Sequence, residues 1–190
     1  MKNKRLVETP MVTSIDHQEL FEKSKKFFED KDLDNTIDHY EKAIERLDRT
    51  KITNKSDYIN FLEAILEYCR ENSFPEQEAL VLRALGRTYS IFKNHTESMK
   101  CHYQSLKIQK KLGKKVETAE GLVFLAEDLE VSGNYDSTVE TFQEASEIFQ
   151  DLGKLKKVKD ITKEINRLKE FIKEMVEDEY LLHKFNVDKY

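Results

Sequence analysis

Five histidines are scattered through this chain of 190 residues, at His17, His39, His95, His102 and His183. Near neutral pH an imidazole can act as general acid, general base or metal ligand. Each role needs a second group at a matching spacing. The sequence offers no Cys-x-x-Cys, no His-Glu-x-x-His and no carboxylate–histidine cluster at metal-ligand spacing. It also lacks a phosphate loop of the G-x-x-x-x-G-K-[ST] type, a G-x-G-x-x-G turn and a G-x-S-x-G elbow. Leu112-Gly113-Lys114-Lys115 could be taken for a phosphate-binding turn, but its duplicate at Leu152-Gly153-Lys154 reads as a helix terminator. Glu117, Glu120, Glu127 and Glu130 read as a solvated helix face, and Cys69 and Cys101 as reduced thiols in or near a core. The expectation is therefore no catalytic residue, no metal site, no cofactor and no enzyme.

The elements that carry these residues are helices. Charged residues make up 36% of the chain, against five glycines and two prolines. Sheet proteins need more turn punctuation than that. A net charge of −5 with abundant Leu, Ile, Val and Phe opposes full disorder. Mild acidity argues against a general nucleic-acid binder, and no stretch is apolar enough for a membrane span. The basic, polar start from Met1 to Pro10 does not read as a secretory signal, and the cytoplasm is the expected location.

The chain repeats itself. Leu82–Lys114 aligns with Leu122–Lys154 at an offset of 40 residues. Leu82 falls on Leu122, Leu85 on Leu125, Gly86 on Ala126, Tyr89 on Leu129, Ser98 on Thr138, His102 on Phe142 and Ser105 on Ala145. Apolar spacings of three and four make each copy two helices joined by a tight turn, near Lys93-Asn94-His95 and Gly133-Asn134-Tyr135, where asparagine or glycine suits the left-handed backbone such a turn asks for. Leu20–Leu47 repeats the pattern through Ser24, Phe27, Thr36, Tyr40 and Ala43.

These positions resemble the tetratricopeptide repeat family, in which a bulky residue, a leucine and a small residue of one helix precede a small residue, an aromatic and an alanine of the next. The chain departs from the family pattern in three ways. His102 replaces the aromatic, the closing proline is missing, and the spacing is 40 rather than the common 34. The extra residues are expected in longer linkers after Leu112 and Leu152.

The resemblance implies an all-α, right-handed superhelical array of antiparallel helix pairs that binds a protein or peptide partner in a concave groove. The groove residues it implies are Phe21, Lys25 and Phe28 in the first copy, Arg83, Arg87 and Ile91 in the second, and Val123, Glu127 and Glu130 in the third. Arg87 and Glu127 occupy equivalent positions and could instead pair with each other. Members that capture acidic chaperone tails use a lysine–asparagine–arginine clamp. Here Phe21, Lys25 and Phe124 stand at those positions, so that specificity is not expected.

The expected organisation is an N-terminal arm over 1–16, an array over 17–153 and a tail over 181–190. Repeats fall near 17–50, 79–113 and 119–153. A helix near 56–71, with Ser56 as N-cap, has no partner in this scheme and predicts an irregular packing. Residues 154–180 read as a long helix with a seam of Ile161, Ile165, Leu168, Ile172 and Met175, which would cap the array or form a coiled-coil-like homodimer. Its stretch from Lys154 to Lys173 is locally basic, which keeps nucleic-acid contact as a secondary alternative.

Overall fold

The computed structural model describes residues 16–47 and 54–187, with side chains described as far as 178. The expected arm (save Asp16) and the last three residues lie outside the described part. The described residues form eight helices and no strand. These are α1 (His17–Glu29), α2 (Leu33–Glu45), α3 (Lys55–Glu71), α4 (Pro75–Ile91), α5 (His95–Leu112), α6 (Lys115–Val131), α7 (Tyr135–Asp151) and α8 (Leu155–Val187).

The chain divides into two compact units, up to Asp48 and from Arg49 onward. In the first, α1 packs on α2. Thr36, Tyr40 and Ala43 line the buried face of α2, and the Ser24 hydroxyl of α1 donates to the Thr36 carbonyl at 2.7 Å. A small residue at that crossing lets the two backbones approach. Asp32 caps α2 by accepting from the Asn35 amide at 3.2 Å.

In the second unit each helix packs on the next in sequence, and α4 also touches α6. A left-handed residue marks every turn: Ser73, Lys93, Gly113, Gly133 and Gly153, at intervals of twenty residues. The hydrogen bonds repeat as well. Phe74, Asn94, Lys114, Asn134 and Lys154 each donate a backbone N–H to the carbonyl five residues earlier, at 2.8–3.0 Å. That is the Schellman closure, which satisfies a carbonyl the helix end would orphan.

Three sequence expectations change here. The turns hold two or three residues, so a spacing of 40 comes from helices of 17 or 18 residues and not from longer linkers. Helix α3 keeps the same length, turn and twenty-residue phase, and packs on α4. It thus stands as a second-type helix, and Asn54 rather than Ser56 is its N-cap. Asn94 does not carry the left-handed conformation. Lys93 does, and Asn94 instead accepts from the Glu97 amide as an N-cap.

A lysine with φ of 64° stores strain that glycine would not. Lys93→Gly is expected to raise stability by about 0.5–1 kcal/mol, relief of strain exceeding the entropy glycine adds to the unfolded chain. A urea titration measures it, and a lower midpoint would contradict the turn geometry.

Helices α4 and α6 bury eight residues each, as suits an inner layer. Helices α3, α5 and α7 bury one face each. Gly121 of α6 has its reason in this layering, because a Cβ there would lie 3.0 Å from Leu106 and 3.3 Å from the Gln109 amide oxygen. On α8, Ile161, Ile165 and Leu168 are buried in one cluster with Phe142, Ala145 and Phe149 of α7. The first part of the seam is thus used within the chain, as a cap would use it. The helix continues past the expected end at residue 180 to Val187.

Candidate binding site

The implied groove residues of the second unit fall on successive first-type helices, and contacts run from helix to helix among them. Arg83 of α4 is buried and its Nη1 lies 3.2 Å from Glu120 of α6. The Arg87 guanidinium, half-buried, lies over the Phe124 ring of α6 at 4.7 Å. Glu130 of α6 accepts two hydrogen bonds from Arg167 Nη2 of α8, both at 2.8 Å. Glu127 is exposed between these contacts. Surrounding protein nevertheless removes enough water from its carboxyl to raise its pKa, and the Asp128 carboxylate adds to the rise while Arg87 opposes it. Ile91 and Val123 are half-buried, and Val123 packs against the core.

The glutamates therefore do more than solvate a face, since Glu120 and Glu130 tie neighbouring helices. The exposed Arg167–Glu130 pair contributes under about 1 kcal/mol, and a guanidinium on an aromatic face about 0.5–2 kcal/mol. Their effect is to hold charged groups in fixed directions.

Beneath this strip lies a polar cluster that the sequence reading missed. Asp128 of α6 is 1% exposed. Its carboxylate takes a 2.9 Å contact from His95 Nδ1 and a short hydrogen bond from the Ser98 hydroxyl, both on α5. Ser98 Oγ also lies 2.7 Å from the Gly86 carbonyl of α4. His102 of α5 completes the group, with Nε2 3.6 Å from Asp128 and its ring stacked on Phe124 at 6.0 Å. Neither His102 nitrogen has a hydrogen-bond partner. Burial holds the imidazole down to about 4, against the pull of Asp128 and with the help of Arg87 and Arg83. His102 is thus a neutral packed ring, as its place in the repeat implied. One signal for Asp128 was available, because the 40-residue offset sets it on Thr88, which is also polar.

The first unit holds its candidates differently. Phe21 is 4% exposed and meets Tyr40 edge-on at 5.9 Å, so it is core and cannot offer its ring to a partner. Lys25 is folded back, with Nζ 4.3 Å from the Phe21 ring centre and 2.9 Å from Glu22. Phe28 is half-buried under Lys31.

Among the described residues no group of three or more His, Cys, Asp or Glu side chains could hold a metal ion, and no helix is long and apolar enough to cross a membrane. Burial pushes the thiols of Cys69 and Cys101 up to about 11, which leaves them protonated.

Paired helices, left-handed turns in a fixed phase and small residues at the crossings define an all-helical repeat array of the tetratricopeptide-like type. Two solved structures are similar to the chain, and the first of them supports that fold. One is a Signal Transduction ATPase with Numerous Domains that carries a tetratricopeptide repeat sensor, from Pyrococcus horikoshii. It matches with a TM-score of 0.54 and 18% identity over 76% of this chain, which spans 25% of that protein. Another is BtubC from P. vanneervenii, with a TM-score of 0.42 and 11% identity over 82% of this chain and 80% of that one. No family model and no curated relative matches the chain.

Proposed function

We propose that the face shared by α4, α6 and α8 binds a segment of a partner protein without doing chemistry on it. The observation that carries this reading is Arg87 held over the Phe124 ring beside the exposed Glu127. A guanidinium fork and a carboxyl kept in place lose little entropy on binding, and together they suit the alternating donors and acceptors of a peptide backbone or its charged side chains. Val123 and Ile91 supply the apolar part of such a contact, and the charges set its specificity. The tetratricopeptide-like fold supports a protein-interaction role in general terms.

Selection from a displayed random-peptide library tests it. The intact protein is expected to enrich related sequences, and Arg87→Glu to lose them at least tenfold. Tyr103→Asp, at an exposed position on the second-type helix α5, is expected to keep them. Equal enrichment by all three proteins would sink the proposal. Arg83 is left unchanged because it is buried against Glu120, and reversing its charge would disturb the fold.

A further inference from the structure

One buried amide is left unmatched by the protein around it. Gln109 of α5 is 1% exposed, and among the described residues neither its amide nitrogen nor its amide oxygen has a hydrogen-bond partner. A carboxamide carries two donor hydrogens and two acceptor lone pairs. It cannot pack as a neutral ring does, and leaving all four sites unmatched in a core costs stability. The nearby hydroxyls are already engaged. Ser105, one turn earlier on α5, donates to the Ala79 carbonyl of α4 at 2.6 Å, and Thr118 of α6 donates to the Lys114 carbonyl at 2.8 Å.

The repeat sets this position apart. The 40-residue offset places Gln109 on Cys69 and on Phe149, both buried and neither an amide. The space around the amide differs as well. The same offset places Gly121 on Val81, and a Cβ at Gly121 would lie 3.3 Å from the Gln109 oxygen. A glycine on α6 thus leaves the amide room that a valine would take.

Gln109 borders a cavity of about 20 Å³ where α4, α5 and α6 meet. About 10–15 Å³ of such space admits one water molecule. Polar groups come from each element that closes the cavity. Glu76 of α4 is ion-paired with Lys114 of the α5–α6 turn, and Glu117 stands on α6. Leu80 and Leu112 supply the apolar part of the wall. A dry cavity is characteristically lined by apolar groups alone, whereas an internal water takes two to four polar partners.

We infer that this cavity is a binding site for one ordered water molecule, held by the Gln109 amide and by a second polar group of α4, the α5–α6 turn or α6. Its size fixes the ligand, and its polarity opposes an apolar one. The three helices then meet at a hydrated joint, with the water linking an amide that no protein group satisfies. None of the lining residues belongs to the α4–α6–α8 strip, so the inference does not rest on the proposed function.

High-resolution crystal structures of the full chain and of its Gln109→Met variant test it. Methionine keeps an unbranched, flexible side chain but carries no amide. In wild type a water is expected within about 2.7–3.2 Å of a Gln109 amide atom and of the second polar group. In Gln109→Met that water is expected to be lost. Nuclear Overhauser transfer from water to the Gln109 side-chain amide protons is expected in solution, and it needs no variant. A wild-type cavity without water, or an amide bonded to protein groups alone, overturns the proposal. So does the same water retained in Gln109→Met, since other groups would then hold it.

Discussion

Gly86→Ala is expected to destabilise the α3–α8 unit by about 2 kcal/mol, although it places the best helix former in a helix interior. In an exposed helix that change gains up to about 1 kcal/mol. Here the new Cβ would lie 2.5–2.7 Å from three ring atoms of His102. The ring has nowhere to go. It is 1% exposed, stacked on Phe124 and 3.6 Å from Asp128. Overpacking of a closed core costs about 1–3 kcal/mol, and this contact belongs at the upper end. The next repeat suggests the remedy. There Ala126 stands at the position of Gly86 and Phe142 at that of His102, both buried. In that repeat the alanine and the aromatic ring are buried in one apolar cluster. Gly86→Ala combined with His102→Phe is therefore expected to recover more than half of the loss. Urea titrations of the four proteins give a coupling energy of at least about 1 kcal/mol if the two sites share one space. A Gly86→Ala protein as stable as wild type would show that no such contact exists.

That pair of positions was visible as a sequence alignment, and so was the helical repeat, because small and bulky residues return at fixed offsets whatever lies between them. The finer period was hidden by chemistry. The left-handed turn positions fall every twenty residues, but two of them are Ser73 and Lys93, which do not advertise the conformation as Gly113, Gly133 and Gly153 do. Counting back from the glycines locates both, and α3 then ceases to be an odd helix. The longer linkers were misplaced for a related reason: spacing counts residues without saying whether a helix or a turn holds them.

The site was less legible. Patterns at i+3 and i+4 describe a residue's own helix, whereas Arg83 meets Glu120 and Arg167 meets Glu130 across 37 positions. Glu120 and Glu130 consequently looked like solvated charge. Phe21 was assigned outward by analogy with the repeat. Among the described residues of that unit α1 packs on α2, and a large ring gains more by packing on Tyr40. Asp128 was missed because it stands among the glutamates of α6, and its partners His95 and Ser98 belong to the helix before it.

Acid should expose the same cluster. Between about pH 6.5 and pH 4 the wild-type protein is expected to lose about 3 kcal/mol more stability than His102→Phe does. In the unfolded chain the His102 imidazole titrates near 6.5, whereas in the folded protein burial holds it down to about 4. As pH falls through this window the unfolded state takes up a proton that the folded state refuses, so protonation favours unfolding. The loss begins near the unfolded value, is complete near the folded one, and is flat below it. The phenylalanine variant has no such proton, and the remaining titrating groups are common to both proteins and largely cancel in the difference. The sign carries the argument. Had Asp128 held His102 as an imidazolium, the folded value would lie above 6.5, and acidification would stabilise wild type relative to the variant. Urea titrations at several pH values decide between the two, and imidazole nitrogen NMR reads the His102 titration directly. An imidazole found charged at about pH 6 in the folded protein would refute the neutral packed ring, and with it the account of why α5 can press a histidine onto Gly86.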